Sequence, residues 1–500
     1  MNDYCFKTDP FDHQLERFAK YRDREYHGHL WEQGTGKSKI IVDNAAYLYN
    51  RGKIDCLFIV APNGVHNSWI KDQVKDHMPL YTNFRAAWYA SGPTAKEKEC
   101  LDKALRHNDG LMVISINVEA LSSEKGVKFA RDLLNCKKCM LVVDESTTIK
   151  NPIAKRTKNI LKLGKHAYYR RILTGTPVTQ GPLDVFSQFT FLDEHCLGTT
   201  SWYAFRNRYT ILKETRVSGR SFMQVVGYSN LDELQTIIDK VSDRVLKSEC
   251  LDLPEKLYQK RYVELSHNQS AMYKAMKKDM IVQFGGAKMS VTMALTKLLR
   301  LQQIVGGFFT CDQDYWEGEL EQCKEGEAVY PNPKALVTVI DEVNPRVESL
   351  IELLKETQGK VIIWARFRGE ISIIARRIQE EFGKASLVEY HGGIKTEQRS
   401  KAIETFQIDP EVRYFLGNVQ AGGKGITLTA AQTMVYYSND FSLENRLQSE
   451  DRAHRIGQTN HVTYIDMIAL GTIDERVVKI LRDKKNVADM VTGDFDINNW

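Results

Sequence analysis

The sequence predicts an α/β protein: two doubly wound parallel-sheet lobes with helical protrusions between them. Three observations predict it. Short runs rich in Val, Ile, Leu and Tyr alternate with longer helical stretches, the pattern of parallel sheets covered on both faces. These runs fall into two sets, before about residue 180 and after about residue 345. Between them, 183–340 reads mainly as helix.

In the first set the expected strands are 56–61, 111–115, 140–144 and 171–174. In the second they are 361–365, 386–390, 413–418, 434–437 and 462–467. The segment 27–30 is a poor strand, because polar rings interrupt it. A helix is expected over 39–49, ended near Gly52. Segments 232–247 and 268–284 read as helices, and glycine pairs at 285–286 and 306–307 punctuate the region. Residues 312–327 hold seven acidic residues and one lysine, so a solvated hairpin or loop kept off phosphates is expected. The lysine-rich 478–485 belongs to a closing helix. The expected division is 1–245 for the first lobe, with its protrusion from about 183. Residues 246–345 then form a helical protrusion and acidic hairpin or loop of the second lobe, and 346–500 the second lobe itself.

Composition narrows the function classes. Five hundred residues allow two to four domains. Hydrophobic residues at 42% and charged residues at 27% exclude wholesale disorder. No apolar run approaches the ~18 residues of a membrane span, and the N-terminus does not read as a secretory signal. Sixty-nine Lys+Arg against 64 Asp+Glu leave only +5, so a nucleic-acid site has to be a local groove. The odd, scattered set of nine cysteines fits a reducing compartment. Cys136 and Cys139 have metal-like spacing, but no second close pair completes a zinc site. The simpler reading is that Cys136 ends a helix and Cys139 opens a buried strand.

Three groups of residues carry chemistry. Gly34, Thr35, Gly36, Lys37 and Ser38 lead into the helix expected at 39–49. Small residues let backbone N–H groups surround phosphate oxygens, and a helix N-terminus adds favourable dipole. Lys37 would reach the outer phosphates of ATP, and the Ser38 hydroxyl would ligate Mg²⁺. Trp31 stands where the full P-loop pattern has glycine. The apolar run 140–143 ends in Asp144 and Glu145, suited to holding Mg²⁺ and to orienting water. Gln448, Arg452 and Arg455 follow a spacing that shares one helical face, with Gly457 to end that helix. Arginine forks stabilise charge on a transferring phosphoryl group. They follow a glycine-rich loop, 421–425, in which Gly425 is a further nucleotide candidate. With the arginines on one lobe and the P-loop on the other, hydrolysis at the lobe interface would be tied to closure, which makes a motor.

At this point the chain resembles helicase superfamily two, and within it the Swi/Snf-type DNA translocases, in a compact HARP-like or phage-type form. The match runs in order. Residues 9–14, DPFDHQ, resemble the Q motif; 30–38, LWEQGTGKS, motif I; 61–63, APN, motif Ia; and 115–121, SINVEAL, the next DNA-facing segment. VVDESTTIKN at 142–151 is similar to motif II and LTGTPVTQGP at 173–182 to motif III. VIIWARF at 361–367, YHGG at 390–393, AGGKGITLTAA at 421–431 and QSEDRAHRIGQ at 448–458 complete the set.

The resemblance implies two RecA-like lobes and a DNA-dependent ATPase that moves along duplex or forked DNA without sequence preference. It implies that Gln14 reads adenine. It also implies backbone contacts from Asn63, Ser115, Thr174, Gly423 and Thr427, each of which can equally be an ordinary turn former. Trp364 suits a buried core better than base stacking, and His454 is positional rather than a base. Two residues depart from the pattern: Thr147 stands where the family often has His, and Thr427 where it usually has Asn. Strand separation by a true helicase remains a rival, with a wedge sought at 305–330, as does a non-catalytic ATP-gated DNA-binding module. Without a chromatin-reading segment, a bacterial or viral DNA-processing role is expected, in the bacterial cytosol or infected cell, or in the nucleus if eukaryotic. Protein partners are not readable.

Overall fold

The computed structural model describes residues 4–63, 65–106, 109–217, 220–286, 291–310, 337–422 and 426–494. The chain divides into two compact units. One comprises residues 1–215, 222–253 and 483–500; the other comprises 216–221 and 254–482. Among the described residues, no helix is long and apolar enough to cross a membrane.

The first unit is built on a seven-stranded parallel sheet. Its strands are β1 (Tyr26–Trp31), β2 (Cys56–Ala61), β3 (Phe84–Tyr89), β4 (Leu111–Asn117), β5 (Cys139–Asp144), β6 (Tyr169–Leu173) and, after a hairpin, β9 (Ser242–Val245). They lie in the order β3-β4-β2-β5-β6-β1-β9. The central strands are buried on both faces, which is why 56–61 and 140–144 read so clearly as strands. Leu173 of β6 stands opposite Asp144 on one side and His29 of β1 on the other. The carboxylates therefore end one strand away from the strand that leads into the P-loop.

The second unit carries a six-stranded parallel sheet. Its strands are β10 (Lys256–Val263), β13 (Lys360–Trp364), β14 (Leu387–Tyr390), β15 (Tyr414–Gly417), β16 (Ala431–Tyr436) and β17 (Val462–Ala469), ordered β10-β17-β16-β13-β15-β14. A two-stranded piece pairs β11 (Phe308–Thr310) with β12 (Val337–Val339).

Four segments differ from expectation. The poor strand at 27–30 is a real one, β1, paired on both sides; its polar rings find a buried partner described below. The middle region is not mainly helical throughout: β7 (Thr210–Val217) and β8 (Arg220–Tyr228) form a separate two-stranded ribbon. The helix expected over 232–247 stops at Val241, where the chain becomes extended at Ser242 and enters β9. The helix expected to carry Gln448, Arg452 and Arg455 on one face ends at Glu450, and the two arginines lie in the turns that follow. The acidic stretch 312–327 lies outside the described residues.

Candidate nucleotide site

β1 delivers the chain to residues 32–36, and the helix Lys37–Asn50 begins immediately after. Gly34 and Gly36 adopt φ of +87° and +86°, a left-handed backbone that side chains rarely take. A Cβ at 36 would also lie 1.9 Å from Gln14 Nε2, so that side chain would have to shift. The loop is tied by its own atoms. The Thr35 hydroxyl donates to the Glu32 carbonyl at 2.8 Å, and Lys37 Nζ donates to the carbonyls of Trp31 (2.8 Å) and Glu32 (3.0 Å). Ser38, half-buried, sits on the helix's first turn.

Gln14 is 2% exposed. Its Nε2 donates to the carbonyls of Thr35 and Gly36 at 3.3 and 3.4 Å, and its Oε1 accepts from Phe11 N at 3.0 Å. Here Gln14 braces the loop, so its amide is engaged with protein groups rather than held open for a base.

Asp144 ends β5 beside this loop. The Trp69 indole donates to its Oδ2 at 2.8 Å, and Glu145 N donates to its Oδ1 at 3.0 Å. Burial pushes the Asp144 carboxyl above its ordinary pKa, opposed by the Trp69 hydrogen bond and the charge of Lys37. Glu145 has φ +48°, unusual for a side-chain-bearing residue. Gln33 Nε2 stands 3.4 Å from Glu145 Oε1, which ties the P-loop to the carboxylate pair. Sequence reasoning missed Trp69, and nothing local in the sequence marks it.

The hard oxygens of Asp144 and Ser38 suit Mg²⁺, and a dication would offset the cost of burying the Asp144 charge. The paired cysteines behave as the simpler reading has it: Cys136 ends the helix Glu124–Cys136, and Cys139 opens β5.

In the second unit, Gln448 is buried on the helix Leu443–Glu450. Arg452 Nε donates to the Gln448 carbonyl at 2.9 Å. Arg452 Nη1 and Arg455 Nη1 converge on the Ile426 carbonyl at 3.2 and 3.3 Å. The two guanidiniums are thus brought together by the turn rather than by a helical face. Burial lowers the Arg455 pKa, with Asp451 opposing. His454 is 7% exposed and donates to the Pro254 carbonyl at 2.8 Å, a positional role. Trp364 is fully buried core.

The proposed backbone contacts divide. Asn63 and Thr427 are exposed, and Thr427 Oγ1 accepts from Arg455 Nη1 at 3.0 Å. Ser115 and Thr174 are fully buried, which corrects their expected role. The Ser115 hydroxyl donates to the His66 carbonyl at 2.9 Å, and Thr174 Oγ1 accepts from Thr176 N at 3.1 Å. Gly423 and Gly425 lie outside the described residues. Thr147 is buried on a short turn, between Ser146, which donates to Gln188 Oε1 at 2.6 Å, and Thr148.

The SNF2-related domain matches residues 30–306, and the helicase conserved C-terminal domain matches residues 345–457. TATA-binding protein-associated factor 172 of Homo sapiens is 26% identical over 89% of this chain and 25% of its own length. The SWI/SNF-related matrix-associated actin-dependent regulator of chromatin subfamily A containing DEAD/H box 1 of Xenopus tropicalis is 25% identical over 93% of this chain and 48% of its own. The chain therefore spans between a quarter and a half of the length of these relatives. A solved SWI2/SNF2 ATPase core of Sulfolobus solfataricus, in complex with dsDNA, aligns over 100% of this chain and 97% of that one, at 21% identity and a TM-score of 0.42. With one family model covering more than half of its residues, this chain belongs to the SNF2-related family.

Proposed function

We propose that the chain is the ATP-hydrolysing core of a DNA translocase. The observation that carries this is the meeting of Lys37 and Gln33 of the P-loop with Asp144 and Glu145, at the ends of strands one removed in a single sheet. Lys37 and the loop amides hold the phosphates of ATP, while Ser38 and Asp144 hold Mg²⁺. The metal, when bound, neutralises charge on the phosphate oxygens. Glu145 orients the attacking water and takes its proton. Arg452 and Arg455 are the arginines proposed to stabilise the transferring phosphoryl group. Asn63, Thr427 and Gly423 remain candidates for contacts to a DNA backbone, which would make binding salt-sensitive and nearly sequence-independent.

Steady-state hydrolysis tests this with no nucleic acid, single-stranded DNA, duplex, forked DNA and RNA. Duplex or forked DNA is expected to stimulate it strongly, Lys37→Ala to abolish it, and Arg455→Ala to slow it by about 10³-fold or more. Hydrolysis absent on every substrate overturns the motor reading.

A second reading, strand separation, has one observation in its favour. The β7–β8 ribbon exposes Ile211, Phe222, Met223, Val225 and Val226, each at least 36% exposed. Apolar side chains of this kind can wedge between bases. The wedge sought at 305–330 falls largely outside the described residues. A forked-duplex displacement assay separates the two readings: a released strand favours the helicase, and ATPase stimulation without release favours the translocase.

A further inference from the structure

Behind the P-loop lies a buried carboxylate that none of the roles above uses. Asp243, on β9, is 8% exposed. Its Oδ1 accepts from His27 Nε2 at 2.8 Å and from His29 Nδ1 at 3.0 Å. Its Oδ2 accepts from the Trp31 indole at 2.7 Å, and Arg17 Nε stands 3.4 Å from it. His27, His29 and Trp31 alternate along β1, so the strand turns three rings to one side, and Asp243 meets all of them. Arg17 lies three residues beyond Gln14 on the helix Asp12–Tyr21, and Tyr21 of that helix stacks on His27 with ring centroids 3.8 Å apart. One carboxylate therefore joins β9, the strand that enters the P-loop, and the helix that carries Gln14.

The two imidazoles and the carboxylate also have the composition of a metal site. Their spacing argues against one. In a tetrahedral zinc site with bonds of about 2.1 Å, neighbouring ligand atoms sit about 3.4 Å apart, whereas these contacts of 2.8 and 3.0 Å have hydrogen-bond length. The second oxygen is already taken by an indole and faced by a guanidinium, and a cation beside a dication is unfavourable.

β9 grips the same stretch through its backbone. Glu32 N donates to the Val245 carbonyl at 2.9 Å, and Lys247 N donates to Glu32 Oε2 at 2.7 Å. Asp243 accepts the indole N–H of Trp31, whose ring His13 and His29 meet edge-on, and the Trp31 carbonyl is one of the two that receive Lys37 Nζ.

We propose that Asp243 is a positioning residue of the nucleotide site: through Trp31 it fixes the backbone that orients Lys37, and through Arg17 it holds the Gln14 helix against the loop. This rests on the nucleotide-site reading above. Its physical content is pre-organisation. A loop that holds the binding geometry only part of the time binds its ligand more weakly by that fraction.

The test uses the full chain. Binding of a fluorescent N-methylanthraniloyl ATP, and KM against kcat for ATP with saturating duplex DNA, are measured for wild type, Asp243→Asn, Trp31→Phe, the double variant and Lys37→Ala. Trp31→Phe removes the indole N–H together with part of the bicyclic ring while keeping an aromatic side chain, so it supplies a second variant that breaks the Asp243 bond if Asp243→Asn fails to fold. The expected result is a rise of about tenfold in Kd and KM for both single variants, with kcat changed less than about threefold. The double variant should be no worse than Asp243→Asn alone, because the two residues act as one unit. A folded Trp31→Phe protein with wild-type KM overturns the proposal, as does a loss confined to kcat. If Lys37→Ala binds the analogue as tightly as wild type, the nucleotide-site reading itself falls. If only Lys37→Ala loses binding, the site stands and the positioning role of Asp243 falls.

Discussion

Asp243 in the first unit and Arg446 in the second are both buried charges behind a loop that matters, and they are stabilised by opposite means. Asp243 collects three aromatic-ring N–H donors, and a cation near it, Arg17, keeps 24% of its side chain exposed. Arg446 is held by carboxylates. Its Nη1 and Nη2 donate to Asp466 at 2.5 and 3.1 Å, and its Nε donates to Glu450 Oε1 at 2.8 Å. Its guanidinium also lies 3.5 Å from the centre of the Tyr436 ring. The first arrangement orients rings along a strand. The second clamps the helix Leu443–Glu450, and with it the turn that carries Arg452 and Arg455, onto the sheet.

Breaking each hub should therefore cost different amounts. Arg446→Met leaves Asp466 without its cation and Glu450 with Lys256 alone, and about 3–5 kcal/mol of stability should be lost in urea denaturation. Asp243→Leu removes an acceptor from N–H donors and frees an arginine that already reaches water. The expected loss is smaller, about 2–3 kcal/mol. An Asp243→Leu loss equal to that of Arg446→Met would show that the two hubs work alike.

The contrast also explains what could be read in advance. The P-loop is a local object. Two left-handed glycines, two hydroxyls and one lysine lie within five residues, and Thr35 and Lys37 bond to carbonyls just before them, so their spacing alone announces them. The buried runs 56–61 and 140–143 are legible for a similar reason, as every residue is apolar. β1 failed because its polar rings are satisfied by a carboxylate more than 200 residues later in the chain, and no window over 26–31 contains it. The spacing of Arg452 and Arg455 implies one helical face, but the helix ends at Glu450, and both reach the Ile426 carbonyl from a turn. Ser115 and Thr174 were misplaced because a short hydroxyl at a strand end serves interior carbonyls and amides as readily as a phosphate.

The hubs should part again with pH. Burial lowers the His27 pKa to about 3, although the Asp243 hydrogen bond opposes this; nearby His29 and Arg171 lower it further. The unfolded chain binds that proton near pH 6.5. Between the two values the unfolded state carries a proton that the folded state lacks, so stability falls as pH falls, by up to about 1.4 kcal/mol per unit. For Asp243, burial works to raise the pKa, but hydrogen bonds from His27 and His29 win and hold it well below the ordinary value. Its contribution is present above the unfolded carboxyl range and is lost only in stronger acid. In the second hub burial likewise pushes Glu450 up, but Lys256 and Arg446 hold it below its ordinary value. Denaturation between pH 7 and 5 should show the wild-type slope flattened in His27→Gln, by up to one proton. An unchanged slope would sink the assignment of this acid sensitivity to the first hub.

The smallest difference lies at the rims. Tyr258 donates its hydroxyl to Glu450 Oε2 at 2.8 Å, while its residue is 58% exposed. Glu450 keeps Arg446 and, at 3.3 Å, Lys256 when that hydroxyl is removed, and water can replace it. Tyr258→Phe should therefore cost about 0.5–1 kcal/mol and leave ATP affinity alone. Trp31→Phe deletes an N–H donor and shrinks a fully buried ring, on a residue whose backbone carbonyl holds Lys37. Its effect should appear in the KM for ATP as well as in stability. Matched melts and KM values for the two variants decide the point. If Tyr258→Phe raised KM as much as Trp31→Phe, the loss of KM would be a general response to loosening either sheet, and the Asp243 hub would have no special hold on the P-loop.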